Sequence, residues 1–238
     1  MTTKLINGTF DWAYEEEFGL RDGFRWSPDG SKIAFWQIDA TKIRDYFMLN
    51  TTDSNYSKII PVEYPKVGES PSPAKIGVAN VSSGQIKWMQ INGDPQQHYL
   101  TRMEWSGINQ LILQQLNRKQ QESKLMYCNA TDGNSYTFWA ENDDAWVDLN
   151  SADILWEPGG FNWINNKQEF IWISEKDGWR HLYNVSLEGK KEQLITKGNY
   201  DFIDLSYIDA KKGYVYLLAS PTNATQRYLY KTKLNGKS

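Results

Sequence analysis

Short apolar stretches recur along the chain, and turn residues close each one. Ser31–Trp36 (SKIAFW) follows the turn Ser27-Pro28-Asp29-Gly30, and Ala74–Val81 (AKIGVANV) runs through Ser82-Ser83-Gly84 into Gln85–Ile91 (QIKWMQI). Gln110–Leu116, Lys124–Cys128 and Ser135–Trp139 follow, then Glu169–Ile173, His181–Val185, Glu192–Ile195, Gly213–Leu218 and Arg227–Lys231. The stretches alternate apolar and polar positions, favour β-branched and aromatic residues, and are separated by Gly, Asp and Asn. That pattern predicts antiparallel hairpins in an all-β meander.

The hairpins fall into groups. Arg25-Trp26-Ser27-Pro28-Asp29-Gly30, Glu104-Trp105-Ser106-Gly107-Ile108-Asn109 and Asn162-Trp163-Ile164-Asn165-Asn166-Lys167 each precede a strand, and Ser206–Gly213 is a worn fourth copy. An aromatic, a polar turn and about four strands, repeating at roughly 40 to 50 residues, is the pattern of propeller blades. The reading is a partial β-propeller of about four antiparallel four-stranded blades. The first interval is longer, and its excess lies in Asp39–Pro73, which carries Pro61, Pro65, Pro71 and Pro73. We read residues 39–73 as an excursion between two strands of the first blade. The repeated tryptophans Trp26, Trp105 and Trp163 read as core. A closed propeller usually needs more blades, so residues 1–238 read as a fragment whose bare faces favour self-association.

Composition agrees with sheet: 14% of residues are aromatic, including 11 Trp and 14 Tyr. A net charge of -3 gives no footing for nucleic acid. Cys128 is the only cysteine, and the two histidines, His98 and His181, lie far apart. Neither a disulfide, a metal centre nor any cofactor is expected. The sequence contains no signal peptide and no apolar run of membrane-spanning length. Seven Asn-x-Ser/Thr sequons fit chance in an Asn- and Thr-rich chain.

The candidate chemistry lies in Asp11-Trp12-Ala13-Tyr14-Glu15-Glu16-Glu17-Phe18. The stretch has no two-residue period and consists of good helix formers, so it predicts a short acidic helix or turn anchored by Trp12 and Phe18. Three adjacent carboxylates repel one another unless a cation offsets them. Two readings follow: a solvated acidic face, or a carboxylate cage for an ammonium group. His181 reads as a structural histidine at a blade turn, because the sequence contains no Gly-x-Ser-x-Gly elbow to pair with it. Asp143, Asp144 and Asp148 miss the spacing of a calcium loop and read as solvated. Asp53, Asp94 and Asp132 read as turn residues, and Cys128 as a small buried hydrophobe.

Asp11–Phe18 with Phe24–Gly30, Val62–Gly68 with Pro71 and Pro73, and Ile173–Tyr183 (ISEKDGWRHLY) resemble, in order, motifs of the dipeptidyl peptidase IV family of serine peptidases, in the prolyl oligopeptidase clan and nearest its bacterial members. The resemblance implies that Glu16 and Glu17 hold the free amino terminus of a peptide substrate, with Glu15, Trp12 and Tyr14 as supporting neighbours. It places the substrate-carbonyl arginine before Met1 and the α/β-hydrolase domain, with its Ser-His-Asp triad, beyond Ser238. This chain alone should therefore be inactive. The same resemblance puts a substrate-packing aromatic within 154–161, relates Trp146-Val147-Asp148 to a cavity-lining segment, points to the excursion as a subunit contact, and implies a periplasmic or cell-surface parent. Two other classes stand beside it. One is a free-standing propeller scaffold. The other is a sugar-active propeller with paired acid and base carboxylates, which adjacent glutamates suit poorly because such groups flank a bond from opposite sides.

Overall fold

A computed structural model describes residues 4–149 and 161–237. The first sheet contains β1 (Leu5–Asn7), β2 (Phe24–Trp26), β3 (Lys32–Asp39), β6 (Ala74–Asn80) and β7 (Ile86–Trp88). A helix, α1 (Trp12–Phe18), separates β1 from β2, and the hairpin of β4 (Asp45–Asn50) and β5 (Lys58–Glu63) separates β3 from β6. β3 and β6 pair antiparallel from Lys32↔Asn80 to Ile38↔Ala74, so the whole hairpin loops out between two paired neighbours.

Three more meanders follow. β8 (His98–Gly107), β9 (Gln110–Asn117), β10 (Glu122–Asn129) and β11 (Ser135–Asn142) form one sheet in sequence order. β12 (Asn162–Ile164), β13 (Glu169–Ser174), β14 (His181–Ser186) and β15 (Glu192–Leu194) form the next. β16 (Phe202–Asp209), β17 (Tyr214–Ala219) and β18 (Tyr228–Lys233) form a three-stranded last sheet. This is the all-β architecture of a partial β-propeller, with a single short helix among the described residues.

Two compact units are present, Met1–Arg118 with Cys128–Ser135, and Lys119–Tyr127 with Tyr136–Ser238. In the first, the side-chain period of two buries Ala34, Trp36 and Ile38 on one face of β3, with Ala74, Ile76 and Val78 on β6. β9 is buried along nearly its whole length, as a strand covered on both faces must be, and its residues 111–113 are accordingly all apolar. In the second unit, Ile164, Ile171, Leu182 and Ile195 pack against Phe202, Val215, Leu217 and Ala219. Burying each large aliphatic side chain contributes roughly 1.5–3 kcal/mol.

The repeated aromatics hold one structural position. Trp26 ends β2, Trp105 lies in β8, Trp163 in β12 and Tyr207 in β16, each strand leading by a turn into the next strand of its sheet. Their burial differs. Trp105 is 5% exposed, and its Nε1 donates to the Arg25 carbonyl at 3.0 Å. Trp26 is 53% exposed and Trp163 only half-buried, which corrects the expectation that all three are core. Both sit on edge strands three residues long.

Candidate acidic-helix site

The site begins as a break in a strand. β1 pairs with Gln37–Asp39 of β3, and β2 pairs with Ile33–Phe35 along the same edge. Between them the chain leaves the sheet, forms α1 and returns. The neck of this loop closes on the Trp36 backbone: Gly8 N–H donates to the Trp36 carbonyl, and Trp36 N–H to the Gly23 carbonyl, both at 3.0 Å. Gly23 N–H donates to the Gly8 carbonyl at 3.0 Å. Gly8 has φ +73°, a region that favours glycine.

The sequence sets the helix limits. The Asp11 side chain accepts from the Tyr14 N–H at 3.1 Å, an N-cap. Gly19 at φ +64° ends the helix in the left-handed conformation, and the Leu20 N–H donates to the Tyr14 carbonyl. Tyr14 is fully buried and is the main anchor. Its ring meets Phe10, Phe18 and Tyr99, and its hydroxyl accepts from the Leu100 N–H at 3.3 Å. Trp12 and Phe18 are the lesser anchors, half-buried against Tyr64 at 4.3 Å and Tyr99 at 5.0 Å.

This packing turns the acidic residues outward. Glu16 and Glu17 are exposed and adjacent, and Glu15 is half-buried. Arg21 faces the group, with Nη1 3.3 Å from a Glu15 carboxylate oxygen and Nη2 3.5 Å from one of Glu16. Burial holds the Tyr99 hydroxyl above its ordinary pKa against the lowering effect of Arg118, and the Glu17 charge adds a smaller push upward. Tyr14, though adjacent to the glutamates, faces the core; it can support the helix but cannot touch a ligand.

The remaining candidates lie elsewhere. His181 is 2% exposed at the start of β14, with Nδ1 2.8 Å from Asp177 Oδ2. Asp143 accepts from the N–H groups of Ala145 and Trp146, so its carboxylate caps a turn. Val147 is buried while Trp146 is exposed. Cys128 is fully buried, and burial pushes its thiol up to about 12. Of the segment 154–161, residues 154–160 lie outside those described; Phe161 is buried against Phe170 at 5.1 Å.

Sequence reasoning missed the roles of Asp11, Gly8, Gly19, Gly23 and Arg21, and that of Ser72, whose hydroxyl donates to Asp11 Oδ2 at 2.5 Å. Two of the signals were local: an Asp just before helix formers marks an N-cap, and a Gly after them marks the stop. The pinched neck and the Ser72 contact join residues distant in sequence, so no local pattern carries them.

An acidic helix thus loops out of the first sheet of a propeller segment. The model of the dipeptidyl peptidase IV (DPP IV) N-terminal region matches residues 2–238, and the chain belongs to that family. Dipeptidyl peptidase 4 of Trichophyton equinum is 26% identical over 238 residues, which cover 95% of this chain and 30% of that protein. The protein named inactive dipeptidyl peptidase 10 of Mus musculus is 25% identical over 244 residues, again 30% of its length. Among solved structures, dipeptidyl peptidase 4 of Porphyromonas gingivalis superposes with a TM-score of 0.87 at 27% identity, over 99% of this chain and 32% of that one. The chain thus spans about a third of the length of the relatives it matches.

Proposed function

We propose that this chain is the substrate-positioning propeller portion of a dipeptidyl-peptidase-IV-like serine peptidase. The observation that carries the reading is the pair Glu16 and Glu17, adjacent, exposed and projected from the sheet edge on an anchored helix. Two fixed carboxylates match one ammonium group, and charge-assisted hydrogen bonds of this kind contribute roughly 1.5–3 kcal/mol each. With the amino terminus clamped there, only a peptide bond at a set distance reaches the nucleophile of a hydrolase domain elsewhere in the whole protein. The clamp acts as a ruler that selects dipeptide release. The chemistry itself is acyl transfer by a Ser-His-Asp triad, none of which the propeller supplies.

The test compares full-length wild type with Glu16→Gln and Glu17→Gln on a chromogenic dipeptide substrate. We expect kcat/KM to fall at least tenfold in each variant; unchanged values in both would remove the clamp and leave a solvated acidic face.

A second reading, a non-catalytic binding scaffold, is favoured by the similarity to a relative named inactive at nearly the same identity. It predicts no peptide turnover by the full-length wild type. The β4–β5 hairpin suits a subunit contact in either case: Phe47, Leu49, Tyr56 and Ile59 are each more than 60% exposed.

A further inference from the structure

The helix is braced from two sides, and the second brace comes from the end of the excursion. On one side lie the sheet residues Tyr99 and Leu100, which receive Tyr14 and Phe18. On the other lies the return segment 63–73. Tyr64 holds the Trp12 ring at 4.3 Å and itself contacts Tyr46 of β4 at 5.7 Å. Fully buried Ser72 donates to Asp11 Oδ2 at 2.5 Å. Arg118 ties the same segment to the sheet, donating to the Glu69 carbonyl at 3.1 Å and reaching the Tyr99 hydroxyl.

Asp11 joins these two supports. It is 4% exposed, and one carboxylate oxygen caps α1 while the other accepts from Ser72. Asp11 thus ties the helix backbone to the return segment, beside the Trp12–Tyr64 ring contact. Its cap fixes the first turn of a helix only seven residues long, and Glu16 and Glu17 follow within two turns. A rotation of the helix would swing both carboxylates together.

We infer that Asp11, through its bond to Ser72, is the positioning residue that sets the pose of Glu16 and Glu17, and that residues 63–73 belong to the recognition site as its support. The inference rests on the ammonium-clamp reading. Asp11 touches no substrate; it acts through the helix.

The test uses full-length protein and reads KM and kcat separately, with free-amine and N-acetylated forms of one substrate. Asp11→Ala should raise KM for the free-amine substrate by roughly tenfold, the scale of a lost N-cap, with kcat largely kept. The acetylated substrate, which cannot use the clamp, should be unaffected. Asp11→Asn keeps an acceptor for the Tyr14 N–H and an amide to face Ser72, so it should restore KM to within about twofold. Ser72→Ala, which leaves the cap intact, should give an intermediate rise and serves if Asp11→Ala does not fold. Glu16→Gln and Glu17→Gln run beside them. If these raise KM but Asp11→Ala and Ser72→Ala do not, the positioning role is wrong and the clamp stands. If neither glutamate variant raises KM, the clamp reading fails first. Equal losses on free and acetylated substrates in Asp11→Ala would make Asp11 a fold residue only and overturn the inference.

Discussion

Gly8 and Gly23 touch backbone to backbone at the base of the acidic loop. A Cβ on Gly23 would lie 2.5 Å from the Gly8 carbonyl carbon and 2.6 Å from the Thr9 nitrogen, so no other residue fits while the neck is closed. The neck is what lets β1 and β2 share one edge of β3 while α1 stands away from it. Gly23→Ala therefore forces backbone apart, at a cost of roughly 1–3 kcal/mol. We expect the melting temperature to drop by several degrees and the free-amine KM to rise, because the helix shifts with its base. A variant with wild-type melting and KM would show that the neck opens freely.

On the proposed clamp, Arg21 would compete with the substrate ammonium for Glu15 and Glu16. Its contacts to Glu15 and Glu16 are 3.3 and 3.5 Å long between half-exposed side chains, so each pair contributes at most about 1 kcal/mol. Removing the guanidinium raises the negative potential at the carboxylates. Arg21→Gln should lower KM for free-amine substrates by up to about fivefold and leave acetylated ones unchanged. A rise in KM would instead make Arg21 an organiser of the glutamates.

Asp29 gives the first hairpin turn a pH signature. Its carboxylate accepts from the Ser27 hydroxyl at 2.7 Å and the Ser31 N–H at 3.1 Å, with the Ser31 hydroxyl as a third donor. These bonds hold it down to about 2, against an ordinary 3.8. A depressed carboxylate stabilises the fold above its unfolded value and loses that contribution as pH falls through the folded one. Asp29→Asn should therefore flatten the acid limb of stability between about pH 4 and pH 2. Urea midpoints measured across that window check it, and parallel curves for the two proteins would contradict it.

Much of the fold was legible because it is local. Alternation along Lys32–Asp39 and Tyr214–Ala219 is the burial pattern of a strand with one face inside, and the turns between strands carry Gly and Asn. What sequence could not give is depth. Trp26 and Trp105 occupy equivalent strands, yet one is exposed and the other buried, because Trp105 meets the neighbouring β2 and donates to its Arg25 carbonyl. The acidic run was legible as a site only in outline. That Tyr14, rather than Trp12 or Phe18, carries the helix follows from its hydroxyl reaching the Leu100 N–H, a contact 86 residues away in sequence. Ser72 likewise holds Asp11 across 61 residues, because the end of the excursion folds back onto the helix.

The most direct test of the central claim is a thermodynamic cycle between Glu17 and the substrate's amine in the full-length protein. It compares kcat/KM for wild type and Glu17→Gln, each on free-amine and N-acetylated forms of one peptide. If the carboxylate binds the ammonium, either change alone should remove the same interaction, so the glutamine variant should cost at least tenfold on the free amine and almost nothing on the acetylated form. Equal losses on both substrates, with no coupling between the two changes, would contradict the clamp and return the acidic helix to solvent.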